Sequence, residues 1–129
     1  MPTATIEVRK TYTREEEMNI IDAIHAAMME GLKTPQWDKN IRLVVHEPHR
    51  FASPPDKDER YTLVNIDLFA GRSLEAKRAL YQAIIANLET CGIPADHVLI
   101  LLREAIPENW GVRGGLPASE VDLGFKINV

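Results

Sequence analysis

The chain has 129 residues, a formal net charge of −4 and a sequence pI of about 5.5. It carries no basic stripe that would favour nucleic acid as the main partner, and no apolar run approaches the roughly 20 residues of a membrane-spanning helix. We expect a single cytoplasmic domain over residues 1–129, because the N-terminus has no apolar signal segment and the lone Cys91 cannot form an internal disulfide.

The first residues alternate between apolar and polar side chains. Ala4, Ile6 and Val8 are separated by Thr5 and Glu7. This two-residue period predicts a half-buried β-strand, so the start of the chain should be tied into a sheet.

Pro2 is the first candidate catalytic residue. Removal of Met1 would leave Pro2 as a terminal secondary amine at the edge of a folded core. A free α-amine has a pKa of about 7.7–8.0 in water, and burial or a nearby cation lowers it toward neutrality. The amine would then be a general base without a catalytic His or Glu.

A helix and a second strand follow. Thr13 and Glu16 form a capping-box pattern, and apolar residues at three- and four-residue spacing predict a helix to about Lys33. Pro35 ends this helix, because the residue before a proline avoids helical torsions. The apolar segment Ile41–Val45 is predicted to be a central strand.

The second half repeats this order after a proline-rich loop at residues 48–60, which we interpret as the hinge between the halves. Residues 61–69 predict a third strand, Ser73 caps a helix that ends at Gly92, and residues 98–102 predict a fourth strand. Residues 121–129 are predicted to form a final short strand.

The two strand–helix–strand units cover about residues 2–47 and 61–104, and a C-terminal hairpin segment follows them. Helix-linked strands run parallel with right-handed crossovers. The predicted fold class is therefore α/β (α+β), with a four-stranded, mainly parallel sheet and two helices on one face. The other face lacks cover, so we expect oligomerisation through sheet edges and faces.

Three segments resemble the tautomerase superfamily. Residues 69–77 (FAGRSLEAK) resemble the Gly-Arg-Ser/Thr…Glu-x-Lys signature of 4-oxalocrotonate tautomerase (4-OT). Residues 104–119 (EAIPENWGVRGGLPAS) resemble its Glu…aromatic-Gly-x-x-Gly…Ala-Ser segment, and residues 41–47 (IRLVVHE) resemble its Val-Arg-Val-Ile-Ile-Thr-Glu strand. Together with Pro2, these segments identify the chain as a member of that superfamily.

The resemblance implies an MIF-like homotrimer without a cofactor that acts on a small carboxylate substrate. Pro2 would shuttle a proton, and Arg72 would bind the substrate carboxylate. A cation at the start of a helix opposes the helix dipole, which favours a functional role for Arg72. Arg42, which we allow to come from a neighbouring subunit, would stabilise the enolate oxygen, and Trp110 would exclude water.

The length and the two-unit layout are most similar to the malonate semialdehyde decarboxylase branch. Residues 35–38 (PQWD) resemble the Pro-x-x-Asp of that branch, which makes Asp38 a candidate catalytic residue. However, the branch has an arginine just upstream of the position of Arg72, and residues 68–70 here are LFA. Proline-based tautomerisation is therefore preferred. A decarboxylase-like lyase or hydratase using Pro2 and Asp38, and a non-catalytic trimeric binding module, remain alternatives.

The two halves differ at the arginine positions. Tyr12 stands where the second half has Arg72, and Leu99 stands where the first half has Arg42. We therefore expect one active site per chain. His46 and His49 lack the spacing of helical zinc motifs, and Pro48 prevents a regular helix there, so no metal site is predicted.

Overall fold

The computed structural model describes residues 1–126, and within them the chain forms two helices and six strands. In chain order these are β1 (Thr3–Val8), α1 (Arg14–Leu32), β2 (Ile41–Val45), β3 (Thr62–Phe69), α2 (Leu74–Glu89), β4 (Val98–Ala105), β5 (Gly111–Val112) and β6 (Leu116–Pro117).

The four long strands form one mixed sheet in the order β2-β1-β3-β4. Each half is a parallel pair joined by a helix, and the two central strands, β1 and β3, run antiparallel. Both helices pack on the same face of the sheet and share one apolar core with it. This confirms the predicted four-stranded, mainly parallel sheet with two helices on one face.

The prediction that β2 is a central strand is wrong, because β2 and β4 are the two edges of the sheet. Their outward-facing apolar side chains are uncovered in the single chain: Val44 is 39%, Leu99 56% and Leu101 51% exposed. A strand that is apolar on both faces resembles a central strand in sequence. Here the second apolar face belongs to the open side of the sheet.

Local signals place both helix starts as predicted. Thr13 caps α1 in a complete capping box with Glu16, and the Ser73 hydroxyl accepts the Ala76 N–H at the start of α2. Helix α1 ends at Lys33, whose φ of 59° is left-handed and whose N–H donates to the Met29 carbonyl.

Gly31 allows the two helices to approach closely. A Cβ at this position would lie 2.6 Å from the Leu80 Cα, so any larger residue would collide with the backbone of α2. The sequence pattern did not single out this glycine. Its role depends on a contact between residues of different helices.

The end of the chain carries an antiparallel hairpin, in which Gly111 of β5 pairs with Pro117 of β6. The described part of the predicted final strand, residues 121–126, forms no strand, and the rest of that prediction lies outside the described residues. In the part of the chain that the structure describes, no helix is both long and apolar enough to cross a membrane.

Candidate active site

The sheet topology gathers the predicted site residues at one end. Because β1 and β3 are antiparallel, with Thr3 opposite Asp67, the start of β1 lies beside the end of β3 and the Arg72 that follows it. Because β1 and β2 are parallel, the segment that enters β2 reaches the same end and carries Asp38. The N-terminus, Asp38 and Arg72 are thereby brought together from three separate parts of the chain.

Asp38 is buried, with 4% of its surface exposed, and both of its oxygens have donors. Oδ2 accepts the N-terminal amine of Met1, and Oδ1 accepts the Asn40 amide over 2.9 Å. The Asp38 N–H donates to the Pro35 carbonyl over 3.1 Å, so the turn after α1 holds the residue in place. Pro2 itself is buried.

Three influences act on the terminal amine. Burial lowers its pKa below the usual 8.0, the hydrogen bond and charge of Asp38 oppose this, and the charge of Arg72 lowers the pKa further. The site therefore contains both an influence that favours the neutral amine and one that favours the charged amine.

Arg72 is also buried, with 5% of its surface exposed. Nη1 donates to the Phe69 carbonyl over 3.2 Å, but Nε and Nη2 have no hydrogen-bond partner among residues 1–126. Burial lowers the pKa of Arg72, and the charges of Asp38 and Glu104 oppose that change. A guanidinium with two free buried donors suits a carboxylate, which accepts two parallel hydrogen bonds.

A cleft of about 490 Å³ opens at this end of the molecule. Trp37 and Trp110 supply aromatic surface, and the Trp110 ring packs against Phe69 at a centroid distance of 4.9 Å. Lys39 and Arg113 are the basic residues of its lining. The complete lining consists of Met1, Thr3, Trp37, Asp38, Lys39, Asn40, Trp110, Gly111, Val112 and Arg113.

Comparison with known proteins identifies a family whose model matches this chain. The family model described as "tautomerase enzyme" matches residues 38–113, which is more than half of the chain. The chain belongs to this family. A probable tautomerase of Ralstonia nicotianae is 36% identical over 53 residues, which cover 40% of this chain and 76% of the relative.

Solved structures also resemble this tautomerase-family chain. FG41 malonate semialdehyde decarboxylase inhibited by 3-bromopropiolate has a TM-score of 0.75 and 26% identity, over 84% of this chain and 86% of that one. The R7 fused 4-OT wild-type asymmetric trimer has a TM-score of 0.82 and 16% identity, over 91% and 96% of the two chains. At that identity, the second likeness supports the fold alone.

Arg42 lies apart from the cleft in the single tautomerase-family chain. It is exposed on β2 opposite Thr5, to whose hydroxyl it donates over 3.4 Å. Of the predicted site residues, Asp38 and Trp110 line the cleft, whereas Pro2, Arg42 and Arg72 do not. The strand register also corrects the matching of the two halves. Arg42 pairs with Thr5, and the equivalent pairing in the second half joins Asn65 to Leu101, so Leu101 rather than Leu99 corresponds to Arg42.

The second half has a different set of residues at the equivalent end of the sheet. Tyr12 corresponds to Arg72, and the strand register makes His97 the counterpart of Asp38. The His97 ring contacts the Asp58 N–H at 3.2 Å and the Asp96 carboxylate at 2.8 Å. These differences support the expectation of one active site per chain.

The cleft is also lined by residues that the sequence analysis did not select as site residues, namely Trp37, Asn40 and Arg113. Asn40 follows Asp38 by two residues in a turn, where both residue types are common for local reasons. Arg113 has a positive φ of 47°, which only the folded hairpin reveals.

His46, for which no metal role was predicted, contacts Glu7 over 2.9 Å on the open face of the sheet.

Proposed function

We propose that this chain tautomerises a small 2-oxo or 2-hydroxy-enoic acid, with Pro2 as the acid–base group after removal of Met1. The observation that carries the proposal is the meeting of the partly buried amine of Met1, Asp38 and an Arg72 with two unpartnered donors within residues 1–126, all at one end of the sheet. An enol acid has the matching groups, namely a carboxylate for the cation and a proton for the base.

The proposed chemistry requires a base of modest strength and a cation. Burial and the charge of Arg72 both lower the pKa of the Met1 amine. After removal of Met1, the same influences would favour a neutral Pro2 amine, which would take the enol proton and return it to carbon. Arg72 would hold the carboxylate through Nε and Nη2. Trp110 would exclude water, and Arg42 of a neighbouring subunit would stabilise the enolate oxygen.

A homotrimer forms part of the proposal. The R7 fused 4-OT with the same fold is a trimer, and the open face of this sheet exposes Val44, Leu99 and Leu101. Covering that face would bury apolar surface and would bring Arg42 against another subunit. The cytoplasmic location remains a prediction.

The test is the rate at which phenylenolpyruvate is converted to its keto form, with protein whose intact mass shows that Met1 is absent. We expect a rate well above buffer that collapses in Pro2→Ala and Arg72→Ala. The matched control is Arg78→Ala, which removes an exposed arginine of α2 whose side chain pairs with Glu75. Equal rates for wild type, Pro2→Ala and buffer would overturn the proposal.

Asp38 favours a second candidate, a decarboxylase-like lyase or hydratase. Its contact with the amine favours the protonated form, which would polarise the carbonyl of malonate semialdehyde while Asp38 orients a proton or water. Release of carbon dioxide from malonate semialdehyde that is lost in Asp38→Asn would support this reaction. If neither substrate turns over, the non-catalytic binding module becomes the better explanation.

A further inference from the structure

Asn40 and the terminal amine each bind one oxygen of the Asp38 carboxylate. Its side-chain Nδ2 donates to Asp38 Oδ1 over 2.9 Å, and the other oxygen, Oδ2, accepts the amine of Met1. The amide and the amine therefore bind the Asp38 carboxylate from two sides.

The backbone of Asn40 is anchored to the sheet. The Ala4 N–H donates to the Asn40 carbonyl over 2.9 Å, immediately before β1 and β2 begin their parallel pairing. Asn40 is exposed, but its acceptor Asp38 is buried, so the bond between them is partly shielded from water. Asp38 itself lies in the irregular segment between α1 and β2, where no ladder of backbone bonds orients it.

Without this amide, the carboxylate would have a competing partner. An aspartate side chain has three staggered χ1 rotamers, and a change between them moves the carboxylate to a new position. The charge of Asp38 acts on the Arg72 guanidinium, whose Nε and Nη2 are unpartnered within residues 1–126. Arginine–carboxylate pairs with two parallel bonds are among the strongest polar contacts in proteins. Such a pair would draw Asp38 from the amine and occupy the donors meant for substrate.

We infer that Asn40 is a positioning residue that holds the Asp38 carboxylate on the terminal amine and away from Arg72, which leaves the guanidinium free for a substrate carboxylate. Asn40 acts through Asp38 and does not take part in the chemistry. The significance of the free guanidinium rests on the proposed function, whereas the orientation of Asp38 can be measured without turnover.

The experiment titrates the terminal amine by NMR in ¹⁵N-labelled protein whose intact mass shows that Met1 is present, because the contact with Asp38 is made by the Met1 amine. Wild type is compared with Asn40→Ala, Asp38→Ala and the double variant. Because Asp38 holds the pKa of the amine up, Asp38→Ala should lower it. We expect Asn40→Ala to lower the amine pKa by about half a unit, the equivalent of one modest hydrogen bond. The double variant should have the same amine pKa as Asp38→Ala alone.

Asn87→Ala is the matched control. It also removes an asparagine amide bond, from Nδ2 to the Ala23 carbonyl over 3.0 Å, but this bond joins α2 to α1. We expect Asn87→Ala to leave the amine pKa unchanged. The inference is overturned if Asn40→Ala does not move the pKa, if its effect persists without Asp38, or if Asn87→Ala has the same effect.

The kinetic arm separates this inference from the proposed function. In protein from which Met1 has been removed, Asn40→Ala should raise KM for phenylenolpyruvate relative to Asn87→Ala, because Asp38 would compete with the substrate for Arg72. An unchanged KM would overturn the protection of Arg72. Failure of the wild type to act on phenylenolpyruvate would instead overturn the proposed function, and the titration would still decide whether Asn40 orients Asp38.

Discussion

Replacing Arg72 with methionine should make the protein more stable while removing its activity. The guanidinium is buried, and Nε and Nη2 lack partners within residues 1–126. Each buried donor without a partner costs about 1–3 kcal/mol, so the two together cost about 4 kcal/mol. The substitution also loses the Nη1 bond to the Phe69 carbonyl, worth about 2 kcal/mol for a charged donor. The net gain in the free energy of unfolding is about 2 kcal/mol.

The assay is thermal and urea unfolding at fixed protein concentration, together with phenylenolpyruvate turnover. A gain of this size raises the Tm by about 5–10 °C for a domain of this length. Loss of the carboxylate donors should reduce kcat/KM by roughly 100-fold or more. Arg78→Met is the control, because its exposed pair with Glu75 contributes less than about 1 kcal/mol.

A lower Tm for Arg72→Met, with Arg78→Met unchanged, would refute the reasoning, because it would show that the guanidinium stabilises the folded chain. Higher stability with unchanged turnover would refute the assignment of Arg72 to the substrate. Only the combination of higher stability and lost turnover fits a cation kept unsatisfied for a ligand.

Three further predictions follow from the packing, the terminal amine and the open face. Gly31→Ala should lower the free energy of unfolding by about 1–3 kcal/mol in urea, because its Cβ would collide with Leu80; an equally stable variant would contradict the close helix approach. In protein that retains Met1, burial lowers the pKa of the folded-state amine below 8.0. Between the folded and unfolded pKa values, the unfolded chain therefore binds more protons than the folded chain. The free energy of unfolding should then fall as pH decreases through that range, and N-terminally acetylated protein, which lacks the amine, should show a smaller slope. Leu101→Asp on the open face should convert the proposed trimer to monomers in light scattering, whereas Leu74→Asp at the exposed start of α2 should not; a persisting trimer would exclude this face as the interface.

Local chemistry explains why much of the fold was predictable. Thr13 and Ser73 cap helices through bonds to residues three positions away, so their signals lie within one turn of the chain. The regular spacing of apolar residues in the two helices and in β1 likewise depends only on positions close together in the sequence. The position of β2 was not predictable in this way, because apolar residues on both faces of a strand do not reveal which face another subunit or helix covers.

The candidate site shows the same division. Arg72 and Asp38 were found through short motifs, but each motif specifies only its own segment. That Asp38 accepts the terminal amine and that Arg42 points to the open face both depend on strand register. The bond from Asn40 to the other Asp38 oxygen joins residues only two positions apart, but neither motif specifies it.

The sequence alone determined the strand–helix–strand repeat, the helix starts and the residue types available for proton transfer, because these depend on interactions within a few positions. The second helix ends at Glu89, before the predicted Gly92. The tertiary structure decided which of those residues meet. The antiparallel pairing of β1 with β3 brings the N-terminus to Arg72, and the parallel pairing of β1 with β2 brings Asp38 to both. At that end of the sheet, partial burial lowers the pKa of the Met1 amine, and two donors of the buried Arg72 have no partners within residues 1–126.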